Sequence, residues 1–124
     1  MCVEDDPDIR TVLDFSLRGL GGYELCLCAN GQEALDRVAA FGPQLVLLDV
    51  MMPGLSGPQT LERLRTLPVM RGVPVVFLTA KAMRDELEDL LQYGAAGIIV
   101  KAFDPVSLPK DIRIYWEHGR GSAA

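Results

Sequence analysis

The sequence predicts an α/β domain in which a parallel β-sheet is covered by helices on both faces. Its hydrophobic pattern switches repeatedly between a period of about 2, typical of strands, and about 3.6, typical of helices. Segments 45–48 and 73–78 are apolar at consecutive positions, as expected of strands covered on both faces. Glycine or proline follows most of the periodic segments. Five strands alternating with five helices are therefore predicted.

The length and composition indicate one ordinary globular domain. The chain has 124 residues and 13.5 kDa, with 49% hydrophobic and 23% charged residues. We expect the domain to span 1–118, followed by a mobile tail at 119–124 without core residues. No apolar run approaches the roughly 20 residues of a membrane span, and no basic-then-apolar leader opens the chain, so a cytoplasmic protein is expected. The net charge of −5 disfavours direct nucleic-acid binding.

The first unit of the pattern is a very short strand and a helix. Met1–Val3 is the apolar start. Asp6 is the expected N-cap of a helix that begins at Pro7, because proline fits the first helical turn. Apolar residues recur at helical spacing as far as Leu20, and Gly21 ends the pattern.

The second unit repeats this order with clearer signals. Residues 23–28 alternate like a strand. Asn30 then caps a second helix, with Glu33 three residues later as the partner of a capping box. Gly42 ends this helix, and the doubly buried strand 45–48 follows.

The third and fourth units follow a long loop. Residues 51–57 form this loop, and Pro58 is the expected first residue of the third helix. The fourth strand covers 73–78. Leucines at helical spacing in 87–91 predict the fourth helix, which Gly94 closes.

The last unit is the strand 98–100 and a final helix. This helix is expected to begin at Asp104 or Ser107. Pro109 favours the later start, because proline inside a helix removes an internal hydrogen bond. Ile112 is among its core-facing residues.

Side chains able to handle a phosphate or a metal follow four of the five strands. They are Glu4 and Asp5, Asp49, Thr79 and Lys101. Taken singly, each has an ordinary explanation as a turn, cap or solvated residue. In a parallel sheet, however, the carboxyl ends of the strands meet at one edge, where ligands gather. Together the set supplies oxygens for Mg2+, a carboxylate nucleophile, a hydroxyl and an ammonium.

Four segments carry a resemblance to a known family. They are Val3–Arg10, Leu48–Gly54, Leu78–Ala80 and Val100–Phe103. In sequence and spacing they resemble the receiver domain of bacterial response regulators, in particular stand-alone receivers of the chemotaxis type. The resemblance covers essentially the whole chain. It implies a flavodoxin-like sheet of order 2-1-3-4-5 with five helices.

The resemblance also implies a role for each strand-end residue. Asp49 would be the phosphoacceptor, Lys101 would pair with a phosphoryl oxygen, and Thr79 would bind another and report the change. The implied Mg2+ ligands are Asp5, Asp49, Glu4 directly or through water, and the backbone carbonyl of Met51. The domain would catalyse only its own phosphorylation and dephosphorylation and is not expected to be an enzyme in the usual sense.

Two positions depart from the family pattern near the lysine. Ile98 stands where receivers usually carry an aromatic switch residue, so coupling is expected to run through the loop from Thr79 to Lys81. Ala102 replaces the proline that normally follows the lysine in a cis peptide. Because a cis bond before a non-proline residue costs about 3 kcal/mol, we expect a trans bond with a displaced Lys101, in preference to a cis bond.

The first strand and the loop after Asp49 also have consequences. Receivers usually have two or three more apolar residues before the acidic pair. Three explanations stay open: a true start upstream, a marginally stable domain, or compensation by dimerising or exchanging elements. Met51 offers no group to orient an attacking water, and slow self-dephosphorylation is expected.

The predicted function is a stand-alone receiver that accepts a phosphoryl group from a histidine kinase or a histidine phosphotransfer protein. The donor would dock at the first helix and the loop after Lys101, and a downstream protein would read the switched surface. No nucleic acid would bind directly and no membrane is involved; a homodimer is possible. The alternatives are a phosphorylation-independent binding module and a fragment of a larger regulator. A hydrolase with an aspartyl-phosphate intermediate is disfavoured, because the chain has no insertion long enough for a substrate cap.

Overall fold

The computed structural model describes the backbone of residues 1–80 and 83–123, and the side chains of residues 1–80 and 83–118. Five parallel strands form one sheet in the order β2-β1-β3-β4-β5, which confirms the predicted fold class and strand order. The strands are β1 Cys2–Val3, β2 Leu27–Cys28, β3 Val46–Asp49, β4 Val75–Thr79 and β5 Gly97–Val100. We call the side where the strands begin the amino edge, and the side where they end the carboxyl edge.

The central strand β1 is as short as the sequence predicts, yet it pairs on both sides. Cys2 lies opposite Leu27 of β2 and Leu47 of β3. Strand β2 is shorter than the predicted segment 23–28. Tyr23 donates its amide to Leu17 and the Leu25 carbonyl accepts from Arg18, whereas the Cys26 carbonyl accepts from the amide of Cys2 in β1. The backbone of Tyr23 and Leu25 thus bonds to Leu17 and Arg18, and the bonds to β1 begin at Cys26.

The helices alternate with the strands in the predicted order. They are α1 Pro7–Leu13, α2 Gly31–Phe41, α3 Gly57–Leu64, α4 Arg84–Leu91 and α5 Leu108–Ala123, and a short 3-10 helix, Pro68–Met70, precedes β4. The N-caps predicted for the first two helices are confirmed: Asp6 accepts from the amide of Asp8, and Asn30 from that of Glu33. The capping box predicted for α2 is wrong, because the carboxylate of Glu33 accepts from the amide of Ala29 instead of that of Asn30. Helix α5 begins at Leu108, one residue after the later of the two expected positions. The predicted mobile tail stays a prediction, since the side chains of 119–123 and the whole of Ala124 lie outside the described residues.

The first helix differs from the prediction in its second half. Residues Asp14–Leu20 are π-helical, so the regular α-helix ends at Leu13 rather than continuing to Leu20. Over seven residues, apolar spacing alone does not distinguish the two kinds of helix. Within the π-helical segment, Ser16 is fully buried and donates its hydroxyl to the carbonyl of Pro105 at 2.6 Å.

The two faces of the sheet carry separate hydrophobic clusters. One cluster packs α2, α3 and α4 against the sheet and includes the fully buried Phe77. The other packs α1, its π-helical continuation and α5 against the opposite face, around Leu13 and Leu108. On that face Gly97 of β5 lies directly under the ring of Tyr115, where a Cβ would collide with the ring.

The amino edge of the sheet borders an open groove of about 530 Å³. Leu25, Leu45 and Trp116 are among its apolar lining residues. The α-amino group of Met1 donates to the carbonyl of Leu45 at 3.0 Å, and burial lowers the pKa of this amino group. The hydroxyl of Tyr23, another lining residue, donates to the carbonyl of Pro109 at 3.1 Å. Polar groups at this edge thus use backbone carbonyls as partners.

Candidate functional site

The carboxyl edge brings together residues from four strand ends. Glu4 follows β1, Asp49 ends β3, Thr79 ends β4 and Lys101 follows β5. The register places Asp49 opposite Leu78 and Thr79 opposite Val100, so the ends of β3, β4 and β5 are level to within one residue. Residues that span 97 positions along the chain meet here.

Lys101 lies between two buried carboxylates. Its Nζ is 3.2 Å from Oδ1 of Asp49 and 3.2 Å from Oε2 of Glu4, and it donates a hydrogen bond of 3.2 Å to Oε1 of Glu4. The side chains of Glu4 and Asp49 are only 1% and 3% exposed, whereas that of Lys101 is 19% exposed. The ammonium is therefore the partly accessible member of a buried ion-pair network.

The carboxylates of Glu4, Asp5 and Asp49 form an acidic cluster. Each offers an oxygen within 4.8 Å of the others, and Asp5 is exposed while the other two are buried. Oε2 of Glu4 and Oδ2 of Asp49 are buried without a hydrogen-bond partner among the described residues. Buried oxygens with unused lone pairs and an exposed carboxylate at the entrance fit a hard divalent cation such as Mg2+.

Burial and like charge act on the acidity of Asp49. Burial, and next the charge of Glu4, raise the pKa of Asp49 to about 7, although Lys101 acts in the opposite direction. Burial lowers the pKa of Lys101, but Asp49 and Glu4 outweigh this, so that its pKa lies above the ordinary value. The ammonium thus stays charged, and the cluster as a whole holds more negative charge than Lys101 neutralises.

The backbone of Asp49 packs closely against the first residue of helix α3. Gly57, the first residue of α3, donates its amide to the carbonyl of Val50 at 2.8 Å. A Cβ at position 57 would collide with the carbonyl oxygen of Asp49, so this approach of helix and strand needs glycine. The close approach was not predicted from the sequence, in which Gly57 reads as an ordinary loop residue before Pro58.

The structure brings most of the predicted site residues to one place. Glu4, Asp5 and Asp49 form the acidic cluster, and Lys101 contacts it. Thr79 is buried at the end of the adjacent strand. The side chain of Met51 is 63% exposed beside it, and the metal-binding role of its carbonyl stays a prediction. Lys81 lies outside the described residues.

The expectation of a trans peptide bond after Lys101 is wrong. The Lys101–Ala102 bond is cis, and Lys101 is not displaced from the cluster. The expectation weighed only the local preference of a non-proline residue. It left out the contacts of Lys101 with Glu4 and Asp49, which belong to the tertiary structure.

Sequence reasoning also missed Arg10. This residue lies in α1, and its Nη1 donates to the carbonyls of Glu4 at 2.8 Å and Asp5 at 3.0 Å. In the sequence it is one polar residue of an amphipathic helix, and no spacing rule links it to the acidic pair. A basic residue within a turn or two of paired acidic residues is the only signal that could have drawn attention to it.

Comparison with known protein families gives one match to most of the chain. Residues 1–113 match the model of the response regulator receiver domain. Response regulator Rre1 of Synechocystis is 35% identical over 113 residues, covering 91% of this chain and 49% of that protein. The DNA-binding response regulator MtrA of Mycolicibacterium smegmatis is 36% identical, covering 91% of this chain and 48% of that protein. The chain thus spans about half the length of these relatives.

Solved structures show the same fold over nearly the whole chain. The chemotaxis response regulator CheY4 of Vibrio cholerae superposes with a TM-score of 0.85 at 27% identity, covering 92% of this chain and 94% of that one. A putative response regulator from Chloroflexus aurantiacus superposes with a TM-score of 0.85 at 29% identity, covering 94% of both chains. Separately, among the described residues no helix has the length and apolar character needed to span a membrane.

Proposed function

Because this chain belongs to the response regulator receiver domain family of two-component signalling, we propose that it accepts a phosphoryl group on Asp49 with the help of Mg2+. The observation that carries the proposal is the contact of Lys101 with Asp49 at 3.2 Å inside the acidic cluster. An ammonium beside the accepting carboxylate offers a partner for a phosphoryl oxygen. The same contact favours phosphate chemistry over a phosphorylation-independent binding module.

The metal ligands are proposed to be Asp5, Asp49, Glu4 directly or through water, and the carbonyl of Met51. The buried oxygens of Glu4 and Asp49 that accept no hydrogen bond support the first part of this assignment. When bound, Mg2+ would neutralise charge on the phosphoryl oxygens and help to orient the phosphoryl group towards the accepting carboxylate. Because Glu4 is fully buried and already accepts a hydrogen bond from Lys101, the exposed Asp5 is the better placed of the two to meet an entering cation.

The transfer step is a substitution at phosphorus. A carboxylate oxygen of Asp49 forms a new P–O bond while the bond from phosphorus to the donor breaks. For a phosphohistidine donor, the electron pair of that P–N bond stays on the imidazole nitrogen, and a proton on the other ring nitrogen makes the leaving group a neutral imidazole. Lys101 is positioned to pair with the phosphoryl oxygens, and it already has its charge before the step, so no proton needs to move to or from the ammonium. Asp49, whose pKa is raised to about 7, reacts in its ionised form.

The switch is proposed to run through Thr79 and the loop that follows it. Thr79 is buried at the end of β4, and its carbonyl accepts from the amide of Lys101 at 2.8 Å. An aliphatic Ile98 cannot move a ring between buried and exposed positions, so an aromatic switch at this position is absent. New negative charge at Asp49 would therefore act on the hydroxyl of Thr79 and the segment behind it.

The proposed partners are a histidine kinase or a histidine phosphotransfer protein and a downstream target. The relatives that share this domain include DNA-binding regulators of about twice the length. For the chain alone we propose protein partners, because its net charge is −5.

The test is the intact mass of the protein after incubation with acetyl phosphate and Mg2+. A gain of one phosphoryl group in the wild type, absent in Asp49→Ala and in samples with EDTA, supports the proposal. A folded protein that binds Mg2+ but gains no mass contradicts it. The decay of the phosphorylated form after removal of the donor tests the lifetime, which is expected to be long because Met51 is apolar; a half-life of seconds contradicts this.

A further inference from the structure

Arg10 connects helix α1 to the segment that carries two of the acidic residues. Its side chain is half-buried, and one nitrogen, Nη1, donates to two consecutive carbonyl oxygens, those of Glu4 and Asp5. The distances are 2.8 and 3.0 Å. Glu4 and Asp5 lie between the end of β1 and the start of α1, so this one group ties the segment to the helix.

We infer that Arg10 is a positioning residue that sets the affinity of the acidic cluster for a divalent cation. The inference rests on the proposed function, because it concerns the same cluster. Glu4 is held by burial and by Lys101, but Asp5 is exposed and must be presented towards Asp49 by its backbone. The bonds from Arg10 fix the carbonyls of the two peptide units that flank the Cα of Asp5. Groups that orient metal ligands in this way commonly change metal affinity by 10- to 100-fold.

Two other contacts make the segment a short, defined turn. The amide of Asp6 donates to Oε1 of Glu4 at 3.3 Å, and the amide of Asp8 donates to Oδ1 of Asp6 at 2.8 Å. The carboxylates of Glu4 and Asp6 thus accept hydrogen bonds from amides of this segment. Arg10 donates to carbonyls of the segment, so its bonds and those of the two carboxylates involve different backbone groups.

The charge of Arg10 has the opposite effect from its hydrogen bonds. A guanidinium near a dication repels it, so loss of the charge alone would strengthen Mg2+ binding. Loss of the two hydrogen bonds would free the Asp5 backbone and weaken binding. The sign of the change therefore separates a positioning residue from a residue that acts only through its charge.

The experiment is calorimetric titration of unphosphorylated protein with MgCl2 at constant ionic strength. Arg10→Met is expected to raise the Kd about 10-fold. Arg10→Lys, which keeps the charge and some donor capacity, is expected to fall between this variant and the wild type. The matched control is Arg18→Met, which removes the same charge from the π-helical segment, where Arg18 pairs with Asp14 and donates to Leu25. The control is expected to stay within about twofold of the wild type.

Hydrogen exchange of the metal-free protein gives a second readout that needs no cation. The amides of Asp6 and Asp8 are expected to exchange faster in both Arg10 variants than in Arg18→Met, while the core amides of β3 stay unchanged. A Kd for Arg10→Met equal to or tighter than that of the control overturns the inference and leaves the proposed function intact. If the wild type binds no Mg2+ at all, the proposed metal site and the inference both fail.

Discussion

At the carboxyl edge of the sheet Glu4 and Asp49 are buried beside one ammonium, whereas at the amino edge the polar groups of Met1 and Tyr23 donate to backbone carbonyls. The first arrangement leaves two carboxylate oxygens without hydrogen bonds and raises the pKa of Asp49. The amino edge borders an open groove, and the donors of Met1 and Tyr23 there have hydrogen-bond partners. The difference teaches that the carboxyl edge keeps acidic oxygens without hydrogen bonds at some loss of stability, as the proposed binding of a cation and a phosphate requires. The amino edge depends on packing and on hydrogen bonds to backbone carbonyls.

The largest effect is expected from removing the ammonium at the carboxyl edge. Lys101→Met leaves Glu4 and Asp49 adjacent and unneutralised, which should lower the free energy of unfolding by about 3 kcal/mol at pH 8 without metal. Urea unfolding in EDTA measures it. Lys110→Met, the same substitution at an exposed position of α5, is the control and should change little. Equal losses in the two variants would show that the cluster does not depend on Lys101.

The next effect has the opposite sign and depends on pH. The folded pKa of Asp49, about 7, lies above its ordinary value of 3.8, so the folded state binds more protons than the unfolded state between these values. Ionisation of Asp49 therefore lowers stability as the pH rises from about 4 to about 7. Asp49→Asn should stabilise the metal-free protein by on the order of 2 kcal/mol at pH 8 and by almost nothing at pH 4.

Thermal and urea unfolding of wild type and Asp49→Asn across this pH range checks the second prediction. A gain of the same size at pH 4 and pH 8 would contradict it, because that would locate the effect in packing. Added Mg2+ should reduce the gain, since the wild type would then bind the cation with its ionised carboxylate.

At the amino edge a purely steric change should act without dependence on pH. Gly97→Ala places a methyl group against the ring of Tyr115, and the overpacking should cost roughly 1–2 kcal/mol. In a Tyr115→Leu background the same substitution should cost less, because the ring is gone. A loss that is unchanged in this background, measured by urea unfolding at pH 5 and pH 8, would contradict the assigned clash.

The smallest effect is expected at a hydrogen bond of the amino edge. Tyr23→Phe removes the 3.1 Å bond to the carbonyl of Pro109, but the pair borders the open groove, where water can replace the hydroxyl. The loss should be about 0.5 kcal/mol. Tyr93→Phe at an exposed position serves as control. If Tyr23→Phe lowers the free energy of unfolding by more than Gly97→Ala does, the small contribution assigned to this hydrogen bond is wrong.

The sequence was sufficient to predict which residues meet at the carboxyl edge, because strand ends in a parallel sheet share an edge. Asp49, Thr79 and Lys101 each directly end or follow an apolar segment, so their convergence needs only the topology. Burial was harder to foresee. Glu4 is followed by two further acidic residues and looks solvated in the sequence, but it is fully buried, because Lys101 reaches it from the other end of the chain.

Features that depend on single tertiary contacts could not be predicted. The π-helical segment Asp14–Leu20 and the regular helix it replaces share the same apolar spacing. The contacts of Arg10 with two carbonyls and of Ser16 with Pro105 follow no periodicity, since backbone carbonyls have no signal in a sequence. The trans bond expected before Ala102 was wrong because the expectation left out the contacts of Lys101 with Glu4 and Asp49.

The bond from Ser16 to Pro105 has a consequence for how such domains can be recombined. It joins the π-helical segment to the connection between β5 and α5. The two bonded residues are 89 positions apart in the chain. A chimera that takes the first helix from a relative without a hydroxyl at position 16 would leave the carbonyl of Pro105 without this donor, and one whose connection follows a different backbone path would leave the buried hydroxyl of Ser16 without its acceptor. These two segments therefore form one module for domain shuffling, and they should be exchanged together when the specificity of the protein is redesigned.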